Sequence, residues 1–263
     1  MNENSEYSAP GSKRTQNSIA GRRAQELFIS REPIVTAILV DGSFFLKRYN
    51  KLIPEASSHP PQRVAKNMYQ FLMRHVGSEY LYRILFYDCV PFGKKLHNPI
   101  TGRAVDFSKT VQAEFRRQFH QELRKLRKVA LRLGQLQDRG RWIINPDKGV
   151  LLLKKRIQVS DLTENDVSYD LRQKGVDIKI GLDIASLAYK RFVRRIVLVA
   201  GDCDFVPAAK LARREGIDFI LDPMWNPIDP NLHEHIDGLR STCPRPGHLK
   251  KLRKPVPCEL EKA

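Results

Sequence analysis

The chain has no stretch of the roughly 18 consecutive apolar residues that a membrane-spanning helix requires, and its N-terminus is polar and mixed in charge, unlike a signal peptide. Arg22-Arg23 is followed by Gln25 and Glu26, which argues against a twin-arginine export signal. These absences predict a cytosolic protein with no membrane partner. The four cysteines, Cys89, Cys203, Cys243 and Cys258, are far apart with no C-x-x-C pair, which excludes a zinc ribbon and a disulfide framework. They read as free thiols, with Cys203 a small residue packed in a tight turn rather than a nucleophile, since no His follows in motif range. Also missing are G-x-x-x-x-G-K-[ST], G-x-G-x-x-G and G-x-S-x-G, so P-loop, dinucleotide and serine-hydrolase chemistry lack their signatures. His233-Glu234-His235 lacks the H-E-x-x-H spacing that puts two imidazoles on one helical face. Acidic residues are scarce as well: 29 Asp and Glu against 46 Lys and Arg give a formal net charge of +17 over 263 residues.

The acids that are present are concentrated. One apolar run, Ile196 to Ala200, ends in Gly201-Asp202-Cys203-Asp204, and another, Ala37 to Val40, ends in Asp41-Gly42-Ser43. Short β-branched and aliphatic runs stopped by Gly and Asp read as buried parallel strands, and open α/β sheets keep their chemistry at the carboxyl ends of such strands. Three carboxylates meeting at one rim repel each other unless a cation sits among them, and hard oxygen ligands suit Mg²⁺ or Mn²⁺. An acidic pocket within a basic surface fits a polyanion held by Lys and Arg and cut at metal-bound carboxylates, so the leading reading is a metal-dependent nuclease. The second acid of a phosphatase whose first strand carries an Asp nucleophile is missing, because Ser43 stands two residues after Asp41.

Residues 1–32, rich in Asn, Ser, Gln and charge, read as a disordered or loosely attached arm, 33–240 as one domain, and 241–263 as a basic tail. Within the domain, strands are expected over Ile34–Asp41, Tyr82–Val90, whose apolar run leads into the acid Asp88, Ile196–Ala200 and Asp218–Leu221. Helices are expected over Pro61–His75, Lys174–Phe192 and Phe205–Glu215, with a short one around Leu232–Leu239. Apolar residues spaced by three and four from Val111 to Leu133 predict a helix over Ser108–Leu133. Trp142–Asn145 and Val150–Ile157 read as two short strands joined by a Pro-Asp-Lys-Gly turn. The alternation predicts an α/β fold with parallel pairing and right-handed crossovers. From Gln112 through Arg156 there are 13 Lys or Arg against 4 Asp or Glu. Arg116, Arg117, Arg124 and Lys128 on that basic face are candidate nucleic-acid contacts, the bland alternative being a solvated face.

In the helix beginning near Val176, Asp177 and Asp183 flank the apolar stripe of Val176, Ile180, Ile184 and Leu187. Their separation of about 9 Å along the axis makes close sharing of one ion unfavourable. Asp177 is also accounted for as a partner of the helix dipole. Asp183 has the weaker claim to a metal, an Arg or a backbone amide being the other partner.

Three segments, Leu39-Val40-Asp41-Gly42-Ser43, Lys174-Gly175-Val176-Asp177 with Asp183, and Ala200-Gly201-Asp202-Cys203-Asp204-Phe205, resemble in order and spacing the NYN domains of the LabA-like group, within the PIN-like nuclease superfamily. The resemblance spans about residues 34–239. It implies a PIN-like three-layer α/β/α sandwich with a mainly parallel sheet, and Mg²⁺ or Mn²⁺ ligation by Asp41, Asp177 and Asp202 with Asp204 close by. Asp41, Asp177, Asp202 and Asp204 are thus the catalytic candidates, Ser43 and Asp183 their supports, and Lys174 a candidate phosphate contact. RNA is the substrate the resemblance implies, while composition alone permits DNA; a homodimer is compatible with the fold. Two positions depart from the family pattern: Phe44 replaces a common Asn, and Ala200 a common Ser before Gly-Asp.

Overall fold

The structure is a computed structural model that describes residues 33–246. The arm expected over 1–32, and the tail from residue 247 on, lie outside the described residues. The elements run β1 (Val35–Asp41), α1 (Gly42–Leu52), α2 (Pro61–Val76), β2 (Tyr80–Cys89), β3 (Lys95–His97), β4 (Ala104–Asp106), α3 (Val111–Lys125) and β5 (Val129–Ile144). They continue α4 (Pro146–Leu153), β6 (Val167–Lys174), α5 (Val176–Tyr189), β7 (Arg195–Val199), α6 (Val206–Arg214), β8 (Asp218–Asp222), α7 (Pro230–Glu234) and β9 (Gly238–Leu239).

Seven strands form one sheet in the order β6-β5-β2-β1-β7-β8-β9. Every pair in it is parallel except β5 with β6. Because side chains alternate along a strand, each buried strand feeds two cores. Ile38 and Val40, Ile84 and Phe86, and Val197 and Val199 face one side, covered by α1, α2 and α3 through Phe45, Met68 and Phe119. Ala37 and Leu39, Leu85 and Tyr87, and Ile196 and Leu198 face the other, covered by α5, α6 and α7 through Ile180, Ala209 and Leu232. The result is the expected three-layer α/β/α sandwich. After β1 the chain builds outward on one side to β2 and β5, then resumes on the other with β7 and β8, so the switch point lies between β1 and β7. Among the described residues no helix is long and apolar enough to cross a membrane.

Four expectations are corrected. The helix expected over Ser108–Leu133 ends at Lys125, and Val129–Leu133 instead pairs in parallel with Ile84–Asp88. The spacing that fits a helical stripe there also places Val129, Leu131 and Leu133 on alternate strand positions, and the strand β2 supplies settles the choice. Pro146-Asp147 starts helix α4 rather than a turn, with proline at its first position and the acid in its first turn, while β5 runs through Ile144. Lys174, expected to open a helix, closes strand β6, and Gly175 in the left-handed region (φ 81°) separates it from α5. Near the C-terminus, α7 stops at Glu234 and Gly238–Leu239 pairs with β8.

Candidate functional site

Asp41 is the last residue of β1 and the N-cap of α1, its carboxylate accepting the Phe44 amide at 3.1 Å. By strand alternation it follows Ala37 and Leu39 toward the α5 side, and Asp177 lies in the first turn of α5. Burial raises the Asp41 carboxyl above the usual range; the Phe44 amide opposes this, and the charges of Asp177 and Asp88 add to it. Asp177 is raised too, by desolvation first and then by Asp202 and Asp204. Asp202 caps the turn after β7, accepting the Asp204 amide at 3.1 Å. Ligand atoms of Asp202, Cys203 and Asp204 all fall within 4.8 Å of one another. Asp41 of β1 therefore feels Asp177 of α5, and Asp177 feels Asp202 and Asp204 of the β7–α6 turn, at the carboxyl rim of the sheet beside its switch point.

Other acids near strand ends are already matched. Asp88, fully buried at the end of β2, is held by Arg116, by His120 Nε2 at 2.9 Å and by the Cys89 amide at 2.8 Å. Asp222, ending β8, meets His75 Nε2 at 2.8 Å and the Met224 amide at 2.8 Å. Asp183 receives Arg132 through Nε at 2.9 Å and Nη2 at 2.5 Å, and the Tyr87 hydroxyl at 2.7 Å. Among the described residues Asp41, Asp177, Asp202 and Asp204 have no salt bridge; Asp202 and Asp204 offer hard carboxylate oxygens close enough together to suit a divalent cation, while Asp41 and Asp177 stand outside that close group.

Residues 111–224 match the NYN domain. That stretch holds Asp177, Asp202 and Asp204, while Asp41 on β1 lies before it, and the match supports the NYN/PIN-like superfamily for this fold. No curated protein matches the chain. Among solved structures, a protein of unknown function from Vibrio parahaemolyticus RIMD 2210633 is similar at 17% identity and TM-score 0.44, over 81% of this chain and 94% of that one.

The other candidates scatter over the fold. The Ser43 hydroxyl accepts Gln173 Nε2 at 2.7 Å, tying α1 to β6 beside the acids. Lys174 is exposed at the rim end of β6. Arg117 donates to the Ser108 carbonyl at 2.7 Å and to Glu114 at 2.5 Å. Arg124 is in the last turn of α3. Lys128 donates to the Leu81 carbonyl, and its Nζ lies 3.7 Å from the Tyr80 ring centre. Tyr80 pairs with Val35, six strand positions or about 20 Å from Asp41, so the Lys128 amine sits at the opposite edge of the sheet from the acids. Cys203 is exposed rather than packed, and desolvation, then Asp202, Asp229 and Asp204, push its thiol up, so it is a protonated thiol and not an activated nucleophile. Sequence reasoning missed a cavity of about 620 Å³ running from Ser43 along β6. The aromatic pair Phe92 and Phe107 was the one signal of it, and neither residue had a periodicity to flag it.

Proposed function

We propose that the protein is a divalent-metal-dependent nuclease of the LabA-like branch of NYN domains, hydrolysing phosphodiester bonds, with RNA as its substrate and the cytosol as its place of action. The observation that carries this reading is the set of four rim carboxylates with no salt-bridge partner among the described residues, in which burial and then neighbouring acids raise Asp41 and Asp177, on a chain of net charge +17. Asp41, Asp177, Asp202 and Asp204 would hold Mg²⁺ or Mn²⁺, which when bound would supply charge neutralisation at the scissile phosphate and lower the pKa of water so that, on losing a proton, it becomes the nucleophile. The chain's own contribution is positional. Asp41 is pinned by the Phe44 amide and Asp202 by the Asp204 amide, so the carboxylates are oriented before substrate arrives. Lys174 at the same rim is placed to steady a phosphate. Hydrolysis in this arrangement leaves 5′-phosphate and 3′-hydroxyl ends.

One observation favours a second reading, a NYN-fold module that binds RNA without cutting it. Phe44 stands where the resembling family commonly has Asn, and its ring lies so close to Gly201 that a Cβ there would sit 2.5 Å from it. An apolar ring thus replaces an amide next to the Asp202 turn, removing a donor that could orient a carboxylate or phosphate. Incubating end-labelled single-stranded RNA and DNA with the protein in Mn²⁺, in Mg²⁺ and in EDTA, beside Asp202→Asn, decides between them. Cleavage that needs both metal and Asp202 is expected. Equal cleavage by Asp202→Asn overturns the site assignment, and tight binding with no cleavage favours the binding module.

A further inference from the structure

The cavity beside the acid cluster has a composition of its own. Ser43, two residues from Asp41, forms its near wall, and β6 contributes Arg172 and Gln173. Lys47 of α1 and Arg116 of α3 also line it, and no carboxylate does among the described residues. Arg116 is braced rather than free to wave: Asp88 holds its Nη1, and His120 holds the same carboxylate. Two aromatic rings complete the wall, Phe92 and Phe107, edge to face with centroids 5.4 Å apart. Phe92 is backed by Tyr169, stacked at 5.7 Å, and Phe107 by Trp142 at 6.1 Å, so the two rings rest on a wider aromatic cluster. A fixed cation, two exposed-side cations and supported aromatic faces in one cleft are the parts that bind unpaired nucleotides: cations track the phosphates and rings take the bases.

We propose that this cleft is the subsite for the nucleotide next to the scissile phosphate, taking one unpaired base against Phe92 and Phe107 while Lys47, Arg116 and Arg172 hold its phosphates, so that the protein selects single-stranded nucleic acid. The proposal rests on the reading of the rim carboxylates as the cutting site. A volume of about 620 Å³ accommodates one nucleotide and excludes a duplex; a paired base reaches such a cleft only by leaving its stack. Gln173 adds a side-chain amide able to meet a base edge, its Nε2 being used on Ser43 and its carbonyl oxygen an acceptor. The acids and the cleft divide the work by charge: the carboxylates face the phosphate that is cut, and the cations face its neighbour.

The test is fluorescence anisotropy of the full-length protein in EDTA with labelled 12-nucleotide RNA and DNA single strands and the matching duplexes, for wild type, Phe92→Leu and Arg172→Ala. Metal-dependent cleavage of the same strands is assayed in parallel, and melting temperatures check folding. Single strands are expected to bind at least about tenfold more tightly than duplexes, with about tenfold weakening of single-strand binding in Phe92→Leu and a smaller loss in Arg172→Ala. The ribose and deoxyribose arms tell whether RNA or DNA is the better ligand. Equal binding of single strands and duplexes, or unchanged single-strand binding in both folded variants, overturns the subsite, and if Asp202-dependent cleavage persists the nuclease reading stands without it. Absence of binding to any strand overturns the subsite, and with absence of metal-dependent cleavage overturns both.

Discussion

Asp41 carries the clearest physical signature in the molecule, a carboxyl raised by burial and by neighbouring acids yet used as a helix cap. Asp177 shifts in the same direction. A carboxyl whose folded value lies above its unfolded one stabilises the fold only while protonated; as pH rises from the ordinary Asp value of about 4 through the raised value, that contribution is lost. Metal-free protein is therefore expected to lose stability as pH rises through that window, and Mn²⁺ to raise the melting temperature more at pH 8 than at pH 5. Asp41→Asn keeps a side-chain oxygen for the cap and removes the buried charge. Metal-free Asp41→Asn should melt about 2–4 °C higher than wild type while losing cleavage and most of the Mn²⁺ shift. A lower melting temperature in EDTA would show that the charge is not what destabilises this rim. Asp41, Asp202 and Asp204 were legible in sequence because they are covalently attached to the ends of apolar runs. The contact of Phe44 with Gly201 was not, since it joins two strand ends far apart in the chain.

Two braces lock the elements that carry the site. Asp183 gathers Tyr87 of β2 and Arg132 of β5 onto α5, and Asp88 gathers Arg116 and His120 of α3 onto β2. The second is fully buried on its acid side, so breaking it leaves uncompensated polar groups in the core. Asp88→Asn is expected to cost about 3–5 kcal/mol, read as a lower urea midpoint at unchanged m-value. A loss below about 1 kcal/mol would mean that the Arg116 guanidinium relaxes into the cleft without penalty. The sequence announced Asp88 as an acid ending a strand, but its partners are on a helix 28 and 32 residues away, and no local pattern reports such a pairing. Strands with a continuous apolar run were legible for the converse reason, that burial on both faces writes itself into every residue. Where two periods fitted the same residues, as over Val129–Leu133, only the neighbouring strand decided. Helix α1 was hidden because Gly42-Ser43 reads as a stop, whereas Asp41 caps a helix that begins there. Gly42 is required at that start: a Cβ would lie 2.6 Å from the Tyr87 carbonyl oxygen.

For the whole molecule the excess of positive charge, +17, was read correctly as a quantity but not as a distribution. The basic run from Gln112 to Arg156 does not form one face. Lys128 is occupied with Leu81 and Tyr80 at the far edge of the sheet and Arg117 with Glu114, while Arg116, braced by Asp88, lines the cleft with Lys47 and Arg172, two cations that stand outside that run, the second 3.7 Å from Asp170. Position therefore matters more than count, and salt dependence separates the two. Each phosphate neutralised on a single strand contributes about −0.7 to the slope of log Kobs against log salt. The three cleft cations then set a slope of about −2 or steeper for single-stranded RNA between about 50 and 200 mM KCl. Arg172→Ala should make that slope shallower by about 0.7, and Lys128→Ala should leave it unchanged, because its ammonium already serves a carbonyl and a ring about 20 Å from the site. Equal shallowing by both substitutions would mean that RNA is held by diffuse charge over the whole surface, and the cleft would lose its claim to the strand. A change confined to Arg172→Ala ties the polyanion to the one face where cations, aromatic rings and uncompensated carboxylates adjoin.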